Sequence, residues 1–341
     1  MGASWADRLA ADPSAWLLEP ADPAVRAMTL QRLYDRGADD PEVMEARTRA
    51  MAVDPIAGIL AAQRPAGWWA KPGPGYAPKY RSTVWNLVIL DQLGADPADA
   101  HIQRACEYVL TWCPTAVGGF GASGSHRERT PPPSAAIHCL NGNVARALIG
   151  FGHVDHRVVR DATDWAARTI LGEGVERWYA SGTSGTGFAC GANGGRPCAW
   201  GAVKELRALA AIPEAVRSDR EQRAVDAAVA FLLSHDPAVA DYPMAPGTTK
   251  PNGSWFKPGF PSAYVTDVLQ NLEALCDAGA ARDRRLDRAV DWLIGLADAQ
   301  GRWSNRSAYH GKTTVPIERQ GAPSKWVTLR ACAVLRARCG G

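Results

Sequence analysis

The sequence predicts an all-α protein in which six helical hairpins close into an inner and an outer ring of helices. Three observations predict it. A helix–loop–helix unit recurs roughly every 50 residues from Ala24 onward, as in a helical repeat. Two kinds of helix alternate, one charged and amphipathic, the other poorer in charge and smaller in residue size. Long Gly- and Pro-rich loops fall between a charged helix and the next small-residue helix. Ring closure would gather those loops over one mouth of a central cavity, where loops of this length carry function.

The outer-type helices are segments 41–62, 98–112, 157–171, 219–235 and 282–299, with 4–18 as the sixth. In the last full repeat Leu286, Ala289, Val290 and Leu293 keep the 3.6-residue period, while Arg284, Arg285, Asp287 and Arg288 face outward. The inner-type helices are 24–34, 81–93, 137–152, 198–212, 262–278 and 325–338. Their stop signals are Gly37, Gly94, Gly152, Pro213, Gly279 and Gly340. The loops between outer and inner helices are 64–80, 114–135, 172–197, 237–261 and 301–324. No linker or shift in composition divides the chain, so residues 1–341 are expected to form one domain.

The 341 residues are 46% hydrophobic and 21% charged, with a formal net charge of +3, which is ordinary globular composition. No lysine or arginine block supplies an electrostatic footprint for nucleic acid. No apolar run approaches the ~20 residues of a membrane-spanning helix, which leaves peripheral contact with a membrane surface open. Asp7, Arg8 and Asp12 interrupt the N-terminal segment, so it does not read as a signal peptide. A cytoplasmic, reducing compartment is the expectation, with the eight cysteines as free thiols or metal ligands.

Gln63…Gly67-Trp68, Gly118-Gly119-Phe120 and Gln300-Gly301-Arg302-Trp303 resemble decayed copies of the Gln-x-x-x-Gly-x-Trp turn. That turn belongs to the repeats of squalene/oxidosqualene cyclases and protein prenyltransferases. The resemblance covers most of the chain as a repeat pattern and implies an α6/α6 toroid with substrate in the central cavity. Protein prenyltransferases, lanthionine cyclases and terpene cyclases all use such toroids, so the resemblance speaks to fold before function. The Asp-x-Asp-Asp acid of hopene-type cyclases is absent, and Asp39-Asp40 reads as an exposed loop pair. The chain is also about half the length of a two-domain triterpene cyclase. Both departures disfavour a squalene-scale polycyclisation.

Two clusters carry candidate chemistry. Cys139 opens the third inner helix beside Asn141 and Asn143, where free N–H groups and the helix dipole favour a thiolate or another anion. Cys198 opens the fourth in the same way, Cys190 lies in the loop before it, and His235 ends the next outer helix. These four could hold zinc, which takes Cys and His ligands and keeps one position open when catalytic. The placement is similar to where protein prenyltransferases and lanthionine cyclases hold zinc. The alternative is partly buried free thiols.

The second cluster is polar and aromatic. Tyr264 and Asp267 are expected on one face of the fifth inner helix, with Asp267 as a general acid and Glu318 nearby. Lys79, Arg81 and Lys325 at the mouth would suit a diphosphate or carboxylate. The alternative is salt bridging, Lys325 to Glu318 and Arg81 to Asp267. Trp68, Trp69, Tyr76, Trp85, Phe120, Tyr264 and Trp326 would either line an apolar pocket or staple the repeats together. Gly182 to Gly187 reads as a mobile lid.

Three functions fit this pattern. The first is a terpenoid-cyclase- or prenyltransferase-type enzyme acting on an isoprenoid-like or other partly apolar substrate with an anionic head group. The second is a zinc-dependent thiol-chemistry enzyme, whose substrate could be a peptide. The third is a non-catalytic toroid that binds a ligand or a protein.

Overall fold

The computed structural model describes residues 5–122, 130–173, 184–240, 242, 248 and 250–340. The inner helices are α2 (Pro23–Tyr34), α5 (Thr83–Gln92), α7 (His138–Gly150), α9 (Ala199–Ala210), α11 (Val268–Leu275) and α13 (Lys325–Cys339). The outer layer comprises α3 (Pro41–Met51) and α4 (Ile56–Ala61), then α6 (Ala100–Trp112), α8 (Arg157–Leu171), α10 (Asp219–Leu232) and α12 (Asp287–Ile294). A 3₁₀ turn at Trp5–Arg8 and the one-turn α1 (Ser14–Leu17) fill the sixth outer place against α13.

Each inner helix packs on its outer partner, and α5, α7, α9, α11 and α13 pack in sequence. Closure comes from α13 against α2. Lys325 pairs there with Glu19 and Asp22, and Arg336 with Asp35. The α2–α5 junction is made at the helix ends, where a Cβ on Gly94 would lie 2.8 Å from Met28 Sδ. The molecule is therefore an α/α toroid.

Burial follows residue type. Thr83 to Leu90 of α5 are all buried, as are all eight residues of α11, because each faces both lumen and outer layer. Outer helices bury one stripe, as α8 does with Val159, Ala162, Ala166 and Ile170. Several open on caps legible in the sequence. Asp40 accepts from Glu42 N–H, Asp99 from His101 and Ile102 N–H, and Ser218 forms a capping box with Glu221.

The turns before the inner helices repeat one device. Gly67, Gly118 and Gly301 have φ of +93°, +108° and +70°, and a Cβ there would come within 2.6 Å of Arg104 O, Asp161 O and Ala11 O respectively. Each turn thus lies directly on the backbone of a neighbouring outer segment. Two residues later stands a buried aromatic: Trp69, Phe120 or Trp303. Trp69 Nε1 donates to Ile59 O and Trp303 Nε1 to Leu293 O, both at 2.7 Å. Their backbone N–H groups are taken by Thr83 and Thr328, and that of Phe120 by Asn141. Burial of each indole outweighs its hydrogen bond, roughly 3 against 1 kcal/mol, so the bond mainly fixes orientation. The aromatics Trp69 and Phe120 are staples. Trp68, half-buried beside Arg64, is not the repeated position.

Several boundaries differ from expectation. The fifth inner helix begins at Val268 rather than at 262, because Asp267 caps it by accepting from Gln270 N–H. Tyr264 is therefore not on a helix, and the expected shared face with Asp267 does not exist. The second inner helix begins at Thr83, leaving Arg81 in the preceding turn. The first ends at Asp35, with φ of +52°, not at Gly37. Pro55 falls between α3 and α4, dividing the expected 41–62 helix. Segment 4–18 forms only short turns, and α12 stops at Ile294. A two-stranded hairpin, β1 (Ala189–Cys190) with β2 (Arg196–Pro197), was not expected. Of the expected lid, Gly182 and Thr183 lie outside the described residues, and Ser184 accepts the His138 N–H.

Gly118→Ala places a methyl against a carbonyl at positive φ and should lower unfolding free energy by roughly 2–4 kcal/mol. Gly194→Ala, at φ +65° with nothing within 4 Å, should cost only about 1 kcal/mol. Denaturant unfolding of the two variants checks the difference.

Candidate functional site

The inner-helix N-termini and the loops before them form one face of the ring. On it an aromatic cage forms, with the exposed Lys79 laid against it. Trp85, fixed in the first turn of α5, donates through Nε1 to Tyr76 O at 2.8 Å. Its ring lies 5.4 Å from Tyr76, 5.3 Å from Tyr80 and 6.1 Å from Tyr264. Tyr80 in turn meets Tyr309 at 4.4 Å. The Lys79 ammonium sits 4.0 Å over the Tyr264 ring, with Tyr80 at 5.4 Å and Tyr76 at 5.9 Å. Burial lowers the Lys79 pKa, and burial raises that of Tyr76 to about 12 despite its hydrogen bond with Tyr264. The Tyr264 phenol is raised by burial and by Cys139.

Beside the cage three thiols meet. Cys139 lies in the first turn of α7, Cys198 is the N-cap of α9, and Cys190 is carried by the β-hairpin. Cys198 lies close enough to both Cys139 and Cys190 for its thiol to interact with each. Backbone N–H groups of Ala192 and Asn193 are directed at Cys190, and that of Gly201 at Cys198. The Cys190 thiol is raised first by its interaction with Cys198 and then by burial, and Cys198 is raised to about 12, first by Cys139. Both are therefore neutral thiols near pH 7. Two close approaches of α7 and α9 permit the meeting. A Cβ on Gly142 would lie 2.3 Å from the Lys204 carbonyl carbon, and one on Gly201 3.0 Å from His138 Cβ.

Of the expected zinc set, His235 sits one repeat on. Its Nδ1 meets the Ser234 hydroxyl at 2.7 Å and its ring packs on Tyr242 at 4.8 Å. It closes the end of an outer helix there. Among the described residues, no group of three or more His, Cys, Asp or Glu is arranged to hold a metal ion. The donor type of the thiols suits zinc; their placement as a chain around Cys198 does not enclose one.

Other expected residues hold structure. Asn141 donates to Glu205 and Ala162 O, and Asn143 donates to Ala263 O. Arg81 donates to the Gly311 and Lys312 carbonyls, not to Asp267. Lys325 pairs with Glu19 and Asp22 rather than Glu318, whose Oε2 accepts from Asn305 and Ser324. Trp326 stacks on Phe260 at 4.6 Å. Asp267 accepts from Gln270 N–H at 2.9 Å and Gly259 N–H at 3.2 Å, and burial raises its pKa. The structure brings together Lys79, Trp85, Tyr264 and the three thiols, and leaves Glu318, Lys325 and Trp326 apart on the α13 side.

Two buried groups beneath this face had not been anticipated. His138 Nδ1 meets Glu205 Oε1 at 3.0 Å, joining α7 to α9. Lys204, 1% exposed, donates to Gln270 of the neighbouring α11. Burial pushes its ammonium down to about 7, and Arg207 adds to the effect against Asp267 and Cys139. The sequence signal was a charged stretch, Lys204, Glu205 and Arg207, within an inner helix of otherwise mostly apolar residues.

No protein-family model and no curated protein matches the chain. Solved structures with a similar arrangement include the type II terpene cyclase MstE from Scytonema, at 17% identity over 93% of this chain and 87% of that one, TM-score 0.47. A variant of it in complex with geranylgeranyl dihydroxybenzoate gives 17%, 94%, 87% and 0.46. An unsaturated glucuronyl hydrolase specific for heparin gives 11% identity, 97% and 87% coverage and a TM-score of 0.49. At these identities and TM-scores the likenesses carry no weight of their own, and the α/α toroid stands on the chain's own helix pairing. Among the described residues no helix is long and apolar enough to cross a membrane.

Lys204 gives a pH signature. Unfolding restores its pKa to about 10.4, so the unfolded chain binds the extra proton across the interval from about 7 upward. Stability should rise with pH through that interval. Lys204→Met should flatten the rise, as followed by calorimetric Tm between about pH 6 and 9.

Proposed function

We propose that the loop face is the active site of a terpenoid-cyclase-like enzyme acting on a partly apolar, isoprenoid-like substrate with an anionic group. One observation carries the reading: the Lys79 ammonium already lies over the rings of Tyr76, Tyr80 and Tyr264, which Trp85 backs. Aromatic faces that stabilise an ammonium also stabilise a carbocation. Lys79 would meet the anionic group of the substrate, and the ring faces it vacates would face the hydrocarbon.

Asp267 is the candidate acid, since burial raises its carboxyl and Tyr309 of the adjoining aromatic layer senses its charge. A proton added to one alkene carbon would generate the cation. An internal double bond would close on it, and loss of a proton from a neighbouring carbon would complete an isomerisation. Asn at 267 keeps the carbonyl oxygen that caps α11 and removes the acid. Asp267→Asn should therefore lower turnover at least 100-fold with little change in Tm. Tyr264→Ala should lower it more than tenfold and Tyr264→Phe far less. Incubation with a panel of polyprenyl carboxylates and diphosphates, read by mass spectrometry, is the assay; full activity of Asp267→Asn removes the acid.

A second reading, zinc-assisted thiol chemistry, is favoured by the meeting of Cys139, Cys190 and Cys198 with N–H groups aimed at two of the sulfurs. A bound zinc would activate a coordinated thiol or water. The three sulfurs would have to draw round the metal, which the hairpin bearing Cys190 would have to allow. Stoichiometric zinc in the purified protein, lost in Cys198→Ala, supports this reading, and a zinc-free parent protein ends it.

A further inference from the structure

The opposite end of the ring, at the C-terminal ends of the inner helices, has a different chemistry. Two cavities of about 380 and 630 Å³ open there. Arg32 of α2, Arg146 of α7 and Arg207 of α9 line both, as does Glu273, so these side chains form the shared wall. The carboxylates present are Glu273 of α11 and Asp91 of α5, with Asp277 nearer the rim.

The carboxylates are largely committed. Glu273 is bound through both oxygens by Arg330, at 3.0 Å from Nε, and Arg330 Nη1 also donates to Gly259 O. Arg32 stands 3.7 Å from Glu273, and Arg146 lies 3.3 Å from Asp91. Burial alone would raise the Glu273 carboxyl, yet Arg330, Arg207 and Arg32 bring it to about 2. Arg207 acts on Glu273 and Asp91 without a direct ion pair to any described carboxylate, and among the described residues its buried Nε has no hydrogen-bond partner. Four guanidinium groups from four inner helices thus face two inner-wall carboxylates. Arg47 and Asp277 at the rims offset each other, while Asp35 is held by Arg336.

Converging helix C-termini carry partial negative charge, which accounts for some of this excess. It does not account for Arg146 and Arg330, which sit at least a full turn before their helix ends. Nor does it satisfy the Arg207 Nε. Guanidinium groups left with free donors around a solvent-sized cavity are arranged for a planar or tetrahedral oxyanion.

We propose that this end of the lumen binds a small, multiply charged oxyanion of the phosphate–diphosphate class between Arg32, Arg146 and Arg207. The site is independent of the loop face and of the reaction assigned there.

Titration calorimetry of the full chain with inorganic diphosphate at low salt tests it, with inorganic phosphate as the second probe. Saturable binding and a raised Tm are expected, with diphosphate tighter than phosphate. Arg207→Gln should weaken diphosphate at least tenfold. The ligand-free Tm should change little, because the substitution removes a charge that both repels Arg32 and attracts Glu273. Arg32→Gln is the second variant, since Arg330 still pairs Glu273. Tyr264→Ala should bind diphosphate as the parent does, so a failed loop-face assay leaves this result standing. Absence of saturable binding in the parent protein, or unchanged affinity in both arginine variants, overturns the proposal.

Discussion

The candidate site depends on how closely α7 and α9 approach. With Gly142 against the Lys204 backbone and Gly201 against His138, the two helices meet with no side chain between them at these points. That contact sets Cys139 beside Cys198, seats His138 on Glu205, and turns Lys204 into the lumen. A larger residue at either glycine would push the helices apart by the width of a methyl, and close-packed interiors do not absorb such shifts freely. The buried His138–Glu205–Asn141 network then becomes a register lock, because each polar group has its partner only at this spacing.

The lumen is graded along its axis. Aromatic rings and thiols occupy the loop end, and guanidinium groups the other. Between them Asn86, Lys204 and Gln270 are buried and satisfied, so the middle is a plug of hydrogen-bonded side chains. A near-neutral amine in that plug follows from position: burial favours the uncharged form, Arg207 below repels the charged one, and Asp267 above only partly compensates. The two ends can therefore serve different ligands while sharing one electrostatic column.

Much of the ring was legible because its signals are local. Caps such as Asp40, Asp99 and Ser218 announce helix starts, and the Gly-x-aromatic turns announce repeats. The site was legible where chemistry and helix start coincide, as at Cys139, Cys198 and Trp85. It was not where a side chain chooses its partner across the ring. Nothing near Lys325 in sequence points to Glu19 and Asp22, some 300 residues away and reached only on closure. Tyr264 was placed on a helix because spacing from Asp267 looked helical, while Asp267 was itself the cap that starts that helix. His235 likewise finds partners that its position after an outer helix does not announce, the Ser234 hydroxyl and the Tyr242 ring.

The arginine end escaped notice because inner-helix arginines look like outer-face charges in a linear pattern. Arg146 is the one charge of α7, and Arg32, Arg207 and Arg330 share their helices with other charged residues, so no linear pattern sets the four apart. Only when the helices are bent into a ring do the four approach one another, and like charges gather in a fold only if something compensates them. Glu273 compensates Arg330 and part of Arg32, and Asp91 compensates Arg146. What remains is the Arg207 Nε, unpartnered among the described residues, on the wall shared by both cavities. A buried donor left in that state costs stability unless water or an anion reaches it, so its position links the lumen's electrostatics to ligand binding.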